Sequence, residues 1–214
     1  YLINIFEYEI LKSRLKFIPK DSHCAKKGFY TVRSLYVEDL LGNSKFEKDS
    51  GVLNRNKFRF RTYNNSADHV LLEMKKKVGD LIQKKSIKLS KELTVDLITD
   101  QRLLNATLQN EFQNIKYEIY QKTYIPKVII QYNREAYATK DQNNLRINFD
   151  KLISSTLDTS LFFKNFTPQK FITNSQKIVL EIKYTHYLPE HIQFLLNSLE
   201  KSRISFSKYA NSIQ

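Results

Sequence analysis

The residues best suited to chemistry lie between Arg55 and Arg61. There the chain reads RNKFRFR, and Arg55, Lys57, Arg59 and Arg61 occupy every second position. Successive side chains of a β-strand face opposite ways, so the four cations share one face, and Asn56, Phe58 and Phe60 take the other. Four like charges in a row repel one another, and the cost is tolerable only where the face meets water or a multiply charged anion. Arginine adds a planar fork of donors that matches phosphate oxygens. The chemistry this pattern predicts is the holding of a phosphate chain.

Other segments repeat the arrangement. In HVLLEMKKKV, Glu73, Lys75 and Lys77 alternate with Leu72, Met74 and Lys76, and in KVIIQYNREAY, Tyr132 and Arg134 share a face. In LRINFD the apolar Leu145, Ile147 and Phe149 alternate with Arg146, Asn148 and Asp150. In KIVLEIKY, Ile178, Leu180 and Ile182 alternate with Val179, Glu181 and Lys183. Period-2 alternation is the primary strand signal. If helices cover the apolar faces, the charged faces line a shared cavity, as in a small barrel with a polar interior. FYTVRSLYV reads as the first clear strand, and Asn64, Asn65, Ser66 and Asp68 as a hairpin connection.

Helices are expected in three places. Residues 3 to 17 carry Ile5, Tyr8, Leu11, Leu15 and Ile18 near helical spacing. The stretch from about Ser90 to Tyr124 has Leu93, Leu97, Leu104, Leu108, Phe112, Ile115 and Ile119, with Pro126 predicted to end it before a strand at Val128. A last helix is expected after Pro189, with Ile192, Leu195, Leu196 and Leu199 as its stripe.

Lys and Arg number 35 against 22 acidic residues, a net charge of +13, and 41% of the 214 residues are hydrophobic. A field of that sign concentrates nucleotides or polyphosphates near the protein. The length suits one core, so a single domain is the default. Four glycines leave no glycine-rich phosphate loop, and neither G-x-x-x-x-G-K-[ST] nor G-x-G-x-x-G occurs. The cations follow strands instead of a recognition helix, which argues against nucleic acid as the partner. Cys24 stands alone, in keeping with a reducing, cytoplasmic setting, and His23, His69, His186 and His191 form no short metal-ligand spacing. No stretch approaches a membrane span. The chain opens at Tyr1 without Met and reads as a piece of a longer one.

With these residues in view the chain resembles the VTC domain of vacuolar transporter chaperone polyphosphate polymerases, in the CYTH or triphosphate tunnel metalloenzyme superfamily. The resemblance rests on SLY at Ser34–Tyr36, EKDSG at Glu47–Gly51, RNKFRFR, LLEMK at Leu71–Lys75, YNREAY at Tyr132–Tyr137, LRINFD, VLEIK at Val179–Lys183 and FSKY at Phe206–Tyr209. It implies an α+β fold, an antiparallel eight-stranded β-tunnel with helices packed outside, spanning residues 1–214; the helical excursion at about 90–124, read from its spacing, resembles the family least. It also implies a nucleoside triphosphate and polyphosphate as partners, Mn²⁺ or Mg²⁺ as cofactor, and transfer of the γ-phosphoryl group of ATP to the chain end.

Carried over by position, Arg59, Arg61, Lys75, Arg134, Arg146 and Lys208 resemble the phosphate-binding tunnel residues, with Tyr132 and Ser207 as polar companions. Glu181 resembles the metal-binding carboxylate, and its other reading is a salt-bridge partner. Lys183 shares its face. Lys84 or Lys85 fills the place of a further phosphate-binding lysine, and Lys48, Arg55 and Lys57 belong to the motif. The family's first-strand R-x-E-x-K-Y pattern meets this chain only at Tyr1, and Ser205 stands where characterised polymerases carry a lysine. A tunnel triphosphatase and a non-catalytic polyphosphate-binding module are the alternative functions.

Overall fold

The computed structural model describes residues 1–24, 26–43, 50–52, 55–79, 81–141, 144–197 and 206–213. Among the described residues nine strands, all paired antiparallel, carry the fold: β1 (Leu2–Asn4), β2 (Tyr30–Asp39), β3 (Arg55–Tyr63), β4 (Val70–Val78), β5 (Leu81–Leu89), β6 (Tyr124–Ala138), β7 (Arg146–Thr156), β8 (Lys170–Phe171) and β9 (Lys177–Lys183). Their order across the sheet is β1-β9-β7-β6-β2-β3-β4-β5, with β8 beside β7. The expected alternation is therefore realised as one sheet.

The turn between β3 and β4 forms where Asn64 and Asn65 stand, both with positive φ, of 51° and 56°. Asparagine tolerates this left-handed region better than most residues, which is what a tight hairpin needs. Two irregularities set the facing of residues further along. Pairing between β2 and β6 shifts at Tyr36/Val37, opposite Pro126. Pro126 thus lies inside β6 and does not precede it: a proline without an N–H is accommodated at a bulge, and the strand starts at Tyr124 instead of Val128. Pairing between β6 and β7 shifts at Gln131/Asn133, and across from it Leu152 adopts a φ of 52°. That kink lets Asp150 and Ile153, three residues apart, both face inward.

The outer face is covered in two patches. Helices α2 (Lys91–Thr99), α3 (Gln101–Glu111) and α4 (Lys116–Tyr120) bury Leu97, Leu104, Leu108 and Ile119, together with Phe112 at the end of α3, in one core with Phe58, Phe60, Leu72 and Met74. The expected helical excursion thus packs outside, broken into pieces where Asp100 caps α3 by accepting from the N–H groups of Arg102 and Leu103. Helices α1 (Ile5–Arg14) and α5 (Glu190–Asn197) cover Ile147, Phe149, Ile178 and Leu180. The first helix starts later than residue 3. Leu2–Asn4 pair with Val179–Lys177, and Asn4 and Glu7 form a reciprocal capping box that begins the helix at Ile5.

One helix departs from the expectation of helices outside. The short α6 (Lys208–Ser212) lies on the inner side, where Tyr209 packs with Val32, Val128, Ile130, Tyr132, Ile153 and Val179.

Candidate functional site

The inner faces converge on a cavity of about 270 Å³. Its wall takes Tyr36 from β2, Lys57, Arg59 and Arg61 from β3, and Glu73 and Lys75 from β4. Lys84 and Ser86 come from β5, Tyr132 and Arg134 from β6, Glu181 and Lys183 from β9, and Ser207, Lys208 and Tyr209 from the C-terminal segment. Strands β9 and β5 stand near opposite ends of the sheet order, so the sheet must curl for both to reach one cavity. Among the described residues eight lining cations (Lys57, Arg59, Arg61, Lys75, Lys84, Arg134, Lys183, Lys208) face two lining carboxylates.

The carboxylates are tied to particular cations. Glu73 accepts from Arg59 Nε at 2.6 Å and lies 3.4 Å from Arg61 Nε. Arg61 also donates to Ser34 Oγ at 3.1 Å, and Arg59 to the Tyr36 hydroxyl at 3.3 Å. Burial works against the Arg59 charge, but Tyr36 and Glu73 outweigh it and hold the guanidinium above the usual arginine range. Glu181 lies 2.8 Å from Lys183 Nζ, 3.3 Å from Arg134 Nη2 and 3.4 Å from Asn148 Nδ2. Burial pushes its carboxyl up, yet Lys183, Arg134 and Lys208 together bring it down to about 2. Glu181 is thus ionised at any working pH.

Beneath the cavity floor Arg134 makes a bidentate contact to Asp150, Nε to Oδ1 at 2.6 Å and Nη2 to Oδ2 at 2.8 Å. Lys208 Nζ meets the same carboxylate at 2.7 Å and lies over the Tyr132 ring at 4.8 Å. Lys75 and Lys84 sit opposite each other in the β4–β5 register and make no ion pair among the described residues. Burial, then the neighbouring charges of Lys84, Arg59, Lys183 and Lys57, lower the Lys75 ammonium below the usual lysine range. The neighbouring cations thus add to burial in disfavouring the Lys75 charge.

Most of the expected site residues meet here: Lys57, Arg59, Arg61, Lys75, Lys84, Tyr132, Arg134, Lys183, Ser207 and Lys208 for phosphate, and Glu181 for the metal. Three expected residues stand apart. Lys85 faces outward, donating to the Glu111 carbonyl and lying 5.4 Å from the Phe112 ring centre, because the β4–β5 pairing puts Lys84 on the inner face and its neighbour on the other. Arg146 shares the inner face but is held away from the cavity wall by Asp21 at 3.2 Å, the Tyr30 hydroxyl at 2.9 Å and Asn148 Oδ1 at 3.1 Å. Arg55, at the start of β3, donates to the Val52 carbonyl at 3.4 Å. Lys48 and Ser205 lie outside the described residues. Tyr132 is both core and wall: it is 4% exposed and sits under two cations. Asp150, Asn148, Tyr36, Ser34 and Tyr209 complete the site without having been assigned roles. The alternation in LRINFD already places Asp150 and Asn148 on the inner face, but which cations they hold depends on β6 and on the C-terminal segment.

The VTC domain family matches this chain over residues 1–214, its full length. The chain belongs to the VTC domain family. Among solved structures, this VTC domain is similar to a candidate adenylate cyclase from Bacillus halodurans, at 12% identity and a TM-score of 0.52, covering 96% of this chain and 92% of the other. The PH1819 protein from Pyrococcus horikoshii OT3 aligns at 12% identity and a TM-score of 0.44, covering 96% and 95%. No curated protein sequence matches the chain. At such identity the first likeness speaks for the fold alone, an antiparallel sheet curled around its charged face.

The metal that the family implies can be tested against the donor set. Among the described residues no three His, Cys, Asp or Glu side chains gather as a ligand cluster. Of the two carboxylates at the cavity wall, Glu73 faces Arg59 and Arg61, while Glu181 has Asn148 beside it as a second oxygen-bearing side chain. Mg²⁺ and Mn²⁺ commonly take one or two protein carboxylates and complete their shell with water and phosphate oxygens, and Glu181 fits that use. In this VTC domain no described helix is long and apolar enough to cross a membrane.

Proposed function

We propose that this VTC domain acts as a single tunnel domain and a polyphosphate polymerase, moving the γ-phosphoryl group of ATP onto the end of a polyphosphate chain. The carrying observation is the wall of eight cations drawn from β3, β4, β5, β6, β9 and the C-terminal segment, against two lining carboxylates. A chain-end oxygen attacks the γ-phosphorus, the bond from that phosphorus to the β–γ bridging oxygen breaks, and ADP leaves with the electron pair. Phosphoryl transfer asks the protein mainly for positioning and for charge opposite the phosphate oxygens. Arg59, Arg61, Arg134 and Lys208, each fixed by a carboxylate or hydroxyl partner, provide fixed donors. Lys57, Lys75, Lys84 and Lys183 provide charge along the wall. Glu181 is the residue that would hold Mn²⁺ or Mg²⁺, which when bound neutralises charge on the phosphates. One buried thiol and no partner cysteine support a cytoplasmic setting.

A second reading, hydrolysis of a triphosphate by water, is favoured by one feature. Tyr209 and Ile213 pack with Val32, Val128, Ile130 and Ile153 on the inner side, so part of the interior is apolar and filled, which shortens the room for a growing chain. Incubation with ATP and Mn²⁺ or Mg²⁺, with products resolved on a polyphosphate-stained gel and orthophosphate followed in parallel, separates the readings. The polymerase reading expects a ladder of lengthening chains with ADP. Orthophosphate without a ladder overturns it in favour of hydrolysis, and neither product despite tight tripolyphosphate binding leaves a binding module.

A further inference from the structure

Asp150 is the most deeply buried charge of the site, at 0% exposure, and it does not form part of the cavity wall. It faces Arg134 across the β6–β7 pair and takes both prongs of that guanidinium, while Lys208 arrives from the far end of the chain to the same Oδ2 that Arg134 Nη2 contacts. Lys208 is the first residue of α6, behind the cap that Ser207 forms by accepting from the Ala210 N–H. A cation at a helix N-terminus sits against the positive end of the helix, so nothing in α6 itself favours it there. Asp150 supplies the reason. A second tie joins the same segment to the sheet: the Tyr209 hydroxyl donates to Glu38, itself 1% exposed, and the Tyr209 ring stacks 5.4 Å from Tyr36.

We propose that Asp150 is a positioning residue: without touching phosphate, it seats Arg134 and Lys208 and so docks residues 206–213 as one wall of the phosphate cavity. This rests on the phosphate-binding reading above. A buried anion beside a polyanion site repels the ligand, so if Asp150 mattered only through its charge, removing it would tighten binding. Positioning predicts the opposite sign.

The test is calorimetric titration of tripolyphosphate into the full chain and into Asp150→Asn, Lys208→Met and the double variant, with amide hydrogen exchange followed over residues 206–213. Asp150→Asn is expected to weaken binding by about tenfold, on the order of one charge-assisted hydrogen bond. The double variant should lose much less than the product of the two single losses, because Asp150 acts through Lys208. Exchange over 206–213 should quicken in both single variants. Equal or tighter binding by Asp150→Asn, or losses that simply multiply, overturns the proposal. Should Asp150→Asn fail to fold, Tyr209→Phe releases the second tie without changing charge. It is expected to quicken exchange and weaken binding, and no change in either refutes the docked wall. If the unaltered chain does not bind tripolyphosphate, the phosphate reading falls, while the exchange comparison still decides whether Asp150 docks the segment.

Discussion

Glu181 is the residue on which catalysis and mere binding part company. Its carboxyl, held at about 2 by Lys183, Arg134 and Lys208 against the upward push of burial, carries its charge throughout the pH range of any assay. Activity should therefore show no acid limb from Glu181 above about pH 4. Glu181→Gln keeps the shape and removes the charge. If the carboxylate holds the metal, turnover at saturating Mn²⁺ should fall on the order of a hundredfold, the scale of losing one charge-stabilising group. Tripolyphosphate affinity should hold or rise, since a negative charge leaves a cationic wall. Steady-state kinetics alongside calorimetry separate these effects, and turnover that survives the substitution would return Glu181 to a plain ion pair with Lys183 and Arg134. Glu73 differs by its partners: with Arg59 at 2.6 Å and Arg61 at 3.4 Å it orients two arginines.

Among the elements, α1 shows how the outer layer is fastened. Glu135 on β6, 4% exposed, accepts from the hydroxyls of Tyr8 at 2.6 Å and Tyr137 at 2.8 Å, and meets Lys20 at 2.8 Å and Lys151 at 3.0 Å. Burial raises its carboxyl, but these four partners bring it down to about 2, from an ordinary 4.5. A depressed carboxylate stabilises the fold fully above its unfolded value and loses that contribution as pH falls toward the folded one. Glu135→Gln is thus expected to lower stability at pH 7 by about 3 kcal/mol, with the deficit shrinking between about pH 4.5 and pH 2. Urea unfolding of both proteins at several pH values measures it, and a deficit independent of pH would mean that packing alone is at stake. The strands of this layered fold were legible because burying one face imposes period 2, as in LRINFD and VLEIK. The hairpin at Asn64–Asn65 was legible because few residues accept its backbone. What was not legible depends on contacts distant in sequence. Choosing Lys84 over Lys85 needs the β4–β5 register, and Arg146 needs Asp21 and Tyr30. The inward course of α6 needs Asp150 and Glu38, which stand some 60 and 170 positions earlier. Pro126 misled because a bulge, invisible in composition, lets a strand keep it.

At the scale of the whole molecule, a net charge of +13 surrounds a cavity that gathers eight cations. Surface charge attracts every polyanion alike and is screened within about 8 Å at physiological ionic strength. Charges inside a partly dry cavity are screened less, so the two contributions separate with salt. Tripolyphosphate affinity should decline only gently between about 50 and 300 mM salt, whereas binding of duplex DNA, whose width keeps it outside a cavity of about 270 Å³, should collapse steeply over the same range. Competition titrations at both salt levels make this concrete. Tripolyphosphate should displace a bound nucleotide analogue at either, and duplex DNA at neither. DNA that displaced the analogue as well as tripolyphosphate did would mean that the cations act as an open basic surface, and the curled sheet would then be a scaffold for that surface instead of a container.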